Sequence, residues 1–163
     1  MSIDRKLWEA RFSVFPSWLC PSCSIGRLSL VMDTLKCIEP AYSEAWKQAE
    51  AWEPNWIQER FIAFLKCNNA TCGEIVAVGG RTHHVDDNDW GAEELTYSRE
   101  YEPLTFTPAP PVFTIPTECP SEIEGELTYA FAQIWSDAGA CANRLRRATE
   151  ALLTERGVLS SRG

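Results

Sequence analysis

The sequence predicts an α+β fold, in which a zinc-ribbon-like antiparallel β module is followed by a C-terminal αα-hairpin. Two pairs of cysteines flank strand-like segments in the first part, and two amphipathic helical segments end the sequence. Between them, PLTFTPAPPVFTIPTECP carries six of the ten prolines, which favours an extended segment outside a central sheet. We therefore expect a β module at 1–102, a proline-rich connector at 103–117 and a helical hairpin at 118–163.

Four cysteines form the predicted metal site. Cys20 and Cys23 are separated by Pro and Ser, and Cys67 and Cys72 by Asn-Asn-Ala-Thr, with Gly73 directly after. Gly and Asn tolerate the positive φ that a tight metal-binding turn needs. Four thiolates would fill the tetrahedral shell of zinc and leave no position for a substrate. The sequence therefore predicts one structural zinc ion, although the second pair has a longer gap than the usual two residues.

The other three cysteines lie on or beside apolar stretches, which favours a role as small buried side chains: Cys37, Cys119 and Cys141. The alternative, a disulfide framework, is disfavoured by the odd count of seven cysteines.

Charge and hydropathy indicate a protein of the cytoplasm. The net charge of −8 repels nucleic acid and anionic lipid as bulk partners. The N-terminus mixes charges into its apolar residues, unlike a signal peptide, and no run of about 18 apolar residues could span a bilayer. We expect a cytoplasmic protein with no membrane partner.

The strand pattern is clearest around the second cysteine pair. RFIAFLKC and EIVAVGGRT are rich in Ile, Val and Phe and are separated by CNNATCG, which predicts a hairpin. Residues 41–56 have helical spacing up to a proline. Residues 82–102 are polar and acidic, which favours a loop, with an edge strand as a further possibility.

Two amphipathic helices are predicted at the C-terminal end. The first has Ser121 at the expected N-cap and an apolar stripe formed by Ile123, Leu127, Phe131 and Ile134. The second is capped by Asp137, ends at Gly157 and has a stripe formed by Cys141, Leu145, Ala148 and Leu152. Each stripe must be covered. Homodimerisation into a four-helix bundle and packing against the β module of the same chain both remain open.

No catalytic pattern stands out. His83 and His84 precede three aspartates, Asp86, Asp87 and Asp89, but neighbouring residues on a strand point to opposite faces and make poor joint ligands. A phosphate-binding loop, a nucleophile elbow and a paired-histidine helix motif are all missing from the sequence. The sequence therefore does not support an enzyme, and an enzyme built around these histidines and aspartates stays open as the least favoured alternative.

The helical hairpin suggests a family. IPTECPSEIEGELTYAFAQIWSDAGACANRLRRATEALLTERGV, preceded by the cysteine pairs and the proline-rich stretch, resembles the domain-of-unknown-function family 4145. The resemblance implies kinship with the HEPN helical superfamily, here with a shortened C-terminus, and a role in phage–bacterium conflict. Some members of that superfamily are RNases with a histidine a few residues after an arginine. No histidine follows Arg144, which implies binding or scaffolding.

These observations predict a non-enzymatic, zinc-binding interaction protein that dimerises through its C-terminal helices and binds a protein partner. The alternative is a nucleic-acid-binding protein, or a degenerate HEPN-like RNase, that uses Arg144 and Arg147 together with Arg146. Arg146 can also form a surface ion pair with Glu150, four residues along the helix.

Overall fold

A curled antiparallel sheet of five strands forms the centre of the computed structural model, which describes residues 5–86 and 97–158. The strands are β1 (Leu28–Leu30), β2 (Lys36–Ile38), β3 (Glu59–Cys67), β4 (Ile75–Asp86) and β5 (Tyr97–Thr107). Both short strands, β1 and β2, pair with β3, and β3 pairs with β4, which pairs with β5. The two longer helices follow the sheet in the chain, so the α+β class is confirmed.

The predicted hairpin around the second cysteine pair is confirmed as β3 and β4. The predicted polar loop at 82–102 is wrong in part, because residues 82–86 belong to β4 and residues 97–102 to β5. β5 lies at the edge of the sheet, as the alternative of an edge strand predicted. Polar residues are paired across these two strands, for example Arg81 opposite Glu102. A strand of this kind has no alternation of apolar residues, so the hydrophobic pattern of the sequence does not predict it. Asp87 and Asp89 lie outside the described residues.

The predicted connector begins inside the sheet, since β5 continues to Thr107. Pro103 is tolerated there because β5 lies at the sheet edge, where the missing N–H removes no central hydrogen bond. The register shifts beside it, between Gly79 and Gly80. A Cβ on Gly80 would lie 2.0 Å from the carbonyl oxygen of Glu102, so only glycine fits this close approach. The division of the chain into domains otherwise stays a prediction.

The core lies on one face of the sheet and contains many aromatic rings. Phe61, Leu65 and Val76 project into it from β3 and β4 and are almost fully buried. Trp18, with no exposed surface, lies among three rings whose centroids are 5.0–5.9 Å away: Phe12, Phe106 and Trp135. Because Trp135 follows the first C-terminal helix, this contact joins the helices to the sheet.

The helices are α1 (Ala41–Trp46), α2 (Ser121–Gln133) and α3 (Ala138–Glu155). Short 3-10 turns lie at Arg5–Trp8, Met32–Thr34 and Pro54–Trp56. The predicted C-terminal hairpin of α2 and α3 is confirmed. α1 ends at Trp46, whereas the helical spacing predicted a helix that continues until Pro54 stops it. Within the described part of the chain, no helix combines the length and the apolar character that crossing a membrane requires.

The ends of the C-terminal helices follow the predicted signals with one exception. Asp137 accepts a hydrogen bond from the N–H of Ala140 at 2.9 Å, and Gly157 has φ of 69° just after α3. Ser121 was predicted as the N-cap, but it is the first helical residue and Pro120 occupies the cap position. Proline fixes φ near the value found there, −56°.

Candidate metal centre

The first cysteine pair lies on a tight turn, residues 20–26, that we call the first knuckle. The N–H of Cys20 donates to the carbonyl of Gly26 at 2.9 Å, and the N–H of Ser24 donates back to the carbonyl of Cys20 at 3.0 Å. Ser24 has φ of 53°, in the left-handed region that closes the turn. Both cysteine side chains are thereby fixed on one short loop that leads into β1.

The second pair lies on residues 67–73, the second knuckle, where Cys67 ends β3. The carbonyl of Asn69 accepts from the N–H groups of Cys72 and Gly73 at 3.0 and 2.9 Å. The side-chain Oδ1 of Asn69 accepts from Thr71 Oγ1 at 2.8 Å, which folds the additional residues of this gap into a compact turn. Gly73 then needs φ of 62°, which glycine adopts without steric cost.

Backbone pairing brings the two knuckles together. Leu28, just beyond the first knuckle, is opposite Cys67 in the pairing of β1 with β3. The N–H of Asn68 donates to the carbonyl of Arg27 at 2.9 Å, and Asn68 Oδ1 accepts from the N–H of Arg27 at 2.8 Å. Since these contacts involve no sulfur, the sheet itself positions the cysteines.

The four sulfur atoms have the spacing of metal ligands. The Sγ atoms of Cys20, Cys23, Cys67 and Cys72 all lie within 4.8 Å of one another. Cys20 Sγ is 3.8 Å from Cys72 Sγ, and Cys23 Sγ is 3.8 Å from Cys67 Sγ. A tetrahedron with metal–sulfur bonds of about 2.3 Å has edges of about 3.8 Å. A disulfide would bring two sulfurs to about 2.05 Å. The predicted four cysteines therefore form a group that could hold a metal ion.

Local electrostatics also suit a cation. The N–H of Gly26 donates to Cys23 Sγ at 3.3 Å and, with the N–H of Ile25, lowers the pKa of that thiol to about 6. Burial raises the pKa of the Cys20 and Cys67 thiols. A divalent ion would supply the positive charge that these buried thiols need in order to ionise.

Gly26 shapes the centre and was missed by the sequence analysis. A Cβ at this position would lie 2.3 Å from Cys67 Sγ and 3.0 Å from Asn69 Cβ. The absence of a side chain therefore allows the second knuckle to approach the first. The signal was present in the sequence, as a glycine three residues after Cys23, because backbone–sulfur contacts in such turns favour glycine.

The two histidines do not share a site. His83 Nε2 is 2.6 Å from Glu102 on the outer face of the sheet, and His84 Nε2 is 3.3 Å from Glu59 on the core face. Glu59 also contacts Arg99 at 3.0 Å. Among the described residues, neither histidine belongs to a group that could hold a metal, which agrees with the expected opposite orientation.

The arginines of α3 pair with glutamates. Arg144 Nη1 and Arg147 Nη2 lie 3.0 and 2.9 Å from the two carboxylate oxygens of Glu126 on α2. Arg146 is 3.9 Å from Glu150, as the helical spacing predicts, and both side chains are exposed. Each of the three arginines thus has a carboxylate partner within the hairpin.

The three other cysteines lie outside the metal group. Cys141 is buried in the hairpin as predicted, and Cys37 is half-buried against the core. Cys119 lines a groove on the helical hairpin. Burial raises the pKa of the Cys37 and Cys141 thiols, as expected for thiols that act as small apolar side chains.

Comparison with known families corrects the resemblance drawn from the helices. The family described as Domain of unknown function (DUF8608) matches residues 11–109, more than half of the chain. The chain belongs to this family, and the assignment to family 4145 was wrong. An arginine-rich amphipathic hairpin is a generic pattern, whereas the matched region contains all four clustered cysteines. The role in phage–bacterium conflict and the HEPN kinship depended on that resemblance and have no remaining basis. Searches among curated proteins and among solved structures give no match.

Proposed function

We propose that this member of the DUF8608 family is a non-enzymatic interaction protein, stabilised by one structural zinc ion and paired with a second copy through its C-terminal helices. The main support is the sulfur geometry of the metal centre, because four thiolates at tetrahedral spacing would leave no coordination position for a substrate. Such a site holds a fold together and performs no reaction.

Zinc is the metal best suited to this donor set. Tetrahedral sites of four thiolates hold zinc or iron, and zinc is the usual ion where two knuckles meet beside strands, as in zinc ribbons. The ion would be held by Cys20 and Cys23 from one knuckle and by Cys67 and Cys72 from the other. When bound, it supplies folding free energy by linking β1 and its preceding turn to the β3–β4 hairpin.

Gly26→Ala provides a sharp test of this centre. The added methyl group would overlap Cys67 Sγ, and overpacking of this kind costs about 1–3 kcal/mol. We therefore expect zinc affinity to fall about tenfold or more, measured by competition with a chromogenic chelator. Gly125→Ala is the matched control, because a Cβ there meets nothing within 4 Å. Equal zinc affinity in both variants would contradict the proposed knuckle geometry.

The helical hairpin leaves an apolar groove of about 550 Å³ between α2, α3 and the segment before α2. Ile123 and Ala148 are buried in its floor, while Leu145 and Leu152 on its wall remain 41% and 43% exposed. Packing within one chain therefore covers only part of the two predicted stripes. A second copy would cover the rest.

Charges at the groove support a symmetric partner. Glu118 and Arg156 both line it, and neither forms an ion pair with another described residue. In a dimer with a two-fold axis, a residue that contacts another across the interface does so twice. The two opposite charges of each copy would therefore be available for ion pairs with those of the other.

Leu145→Asp combined with Leu152→Asp should abolish the dimer. Both side chains are partly exposed, so the changes place charge in the proposed interface without entering the core. Sedimentation equilibrium should give twice the chain mass of 18.4 kDa for the zinc-loaded protein and the single mass for the variant. Val14→Asp, at a position 78% exposed, is the control that should remain dimeric. A monomer at the highest soluble concentration of the unmodified protein would refute dimerisation.

The alternative function, nucleic-acid binding, needs the arginines of α3 for a different contact. It requires Arg144 and Arg147 to contact phosphates, with binding that weakens as salt rises. Their pairing with Glu126, and the position of the Arg144 guanidinium 5.0 Å from the Tyr129 ring centroid, favour a role in stabilising the hairpin.

A further inference from the structure

The face of the sheet that points away from the core carries an exposed apolar patch. Ile38, Ile62, Phe64 and Ile75 are 69%, 62%, 47% and 44% exposed. They lie on one face because Ile38 is opposite Arg60, and Phe64 is two residues beyond Ile62 on β3. We call this surface the outer sheet face. Large side chains of this kind, clustered on a surface, indicate contact with a partner.

A groove of about 260 Å³ crosses the outer sheet face. Ile62 and Phe64 line one side, and Thr105 on β5 lines the other. Gly79 lies between them, and a Cβ there would have ordinary contacts, the nearest at 3.5 Å. The fold therefore has room for a side chain at position 79, and its absence deepens the groove.

Three cations surround this apolar patch. Lys36, Arg60 and Lys66 project from the same face, as their pairing with Ile62, Ile38 and Ile75 requires. None forms an ion pair with a described carboxylate. Arg60 donates hydrogen bonds to neutral acceptors, Tyr42 Oη and the carbonyl of Glu59, at 3.3 Å, which leave its charge uncompensated. Cations without a carboxylate partner around an apolar surface are notable in a chain with a net charge of −8. Their charge is available to a partner.

We infer that the outer sheet face binds a short acidic segment of a partner protein, with apolar side chains in the groove and carboxylates on the three cations. This inference rests on the proposed interaction function and specifies the chemistry of the partner. From Arg60 to Lys66 the strand spans about 20 Å. A segment of about six or seven extended residues would therefore reach from one cation to the other.

Other occupants fit this surface less well. A second copy would bring the same three cations into contact with themselves, and like charges repel. A long polyanion or an anionic membrane would meet the repulsive field of the whole chain, whereas a short segment meets only the patch. Single-stranded nucleic acid binds through stacked aromatic rings, but the groove offers Phe64 among aliphatic and small residues.

Selection from a display library of random peptides of twelve residues, with the zinc-loaded protein as bait, tests the inference. We expect the selected peptides to combine acidic and apolar residues. A synthetic peptide of the selected sequence should bind at least tenfold more weakly to Ile62→Thr/Phe64→Thr, in which threonine maintains strand propensity. Arg60→Glu/Lys66→Glu should weaken it similarly, and Val14→Thr should not.

Several results would overturn the inference. They are a failure to select any peptide, selected peptides without acidic residues, or binding that survives in the charge-reversed variant. Polyuridylate binding that is lost in the same variants would assign the face to nucleic acid instead. Conversion of a dimer to a monomer by these variants would assign it to a second copy. Zinc content and solution mass, measured on the same samples, test the proposed function separately, so the two failures are distinguishable.

Discussion

Removal of zinc with a strong chelator is expected to lower the thermal unfolding midpoint by roughly 10–20 °C, which corresponds to a loss of about 5 kcal/mol or more in a chain of this size. Structural zinc contributes about 10–16 kcal/mol in zinc-finger peptides. Here the effect should be smaller, because β3, β4 and β5 also bury a core of their own. The midpoint should recover when zinc is added back.

Replacement of ligands separates this effect from non-specific effects of the chelator. The double variant Cys67→Ser/Cys72→Ser should contain no zinc, whereas the purified unmodified protein should contain one equivalent per chain by elemental analysis. Cys119→Ser is the control, since that thiol lies outside the metal group and should leave the zinc content unchanged. One equivalent of metal in the double variant would overturn the site, and iron in the unmodified protein would overturn zinc.

Trp18→Ala is expected to lower the free energy of unfolding by about 3–5 kcal/mol, the usual range for removal of a buried aromatic side chain. Trp18 has no exposed surface, and its Nε1 donates to the carbonyl of Leu7 at 2.7 Å. The change would remove the contacts of Trp18 with Phe106 and Trp135 together, whereas the direct contact between Phe106 and Trp135, with ring centroids 4.8 Å apart, would remain. Urea titration followed by circular dichroism measures the loss.

A second tryptophan shows whether that loss depends on burial. Trp56 is 42% exposed, so Trp56→Ala should cost much less than Trp18→Ala. Similar losses in the two variants would mean that burial of the Trp18 ring does not determine the free energy lost on its removal.

The strongest sequence signals concerned local chemistry. The two cysteine pairs predicted the metal group because two thiols on one tight turn lie only a few residues apart in the sequence. The hairpin of β3 and β4 and the capping by Asp137 were predicted for similar reasons. The family assignment failed because it relied on the helices, where arginines and an apolar stripe recur in many unrelated hairpins, whereas the family match covers residues 11–109.

Other features depended on pairing between distant residues. The polar ends of β4 and β5 look like a loop in the sequence, because their strands are held by cross-strand contacts such as His83 with Glu102. The role of Gly26 depends on its approach to Cys67, a residue that is 41 positions away in the sequence. A pattern within one segment carries no information about such contacts.

The sequence by itself determined which four thiols could converge, that a helical hairpin follows the strands, and that each terminal helix has one apolar face. Only the tertiary structure decided what covers those faces and which surfaces remain exposed. Leu145 and Leu152 stay partly exposed because α2 and α3 cover each other incompletely, and the outer sheet face stays open because the helices pack elsewhere. Burial depends on how the assembled elements pack against one another. A partner can bind only where that packing leaves a surface exposed, so the sequence of one element does not predict the binding site.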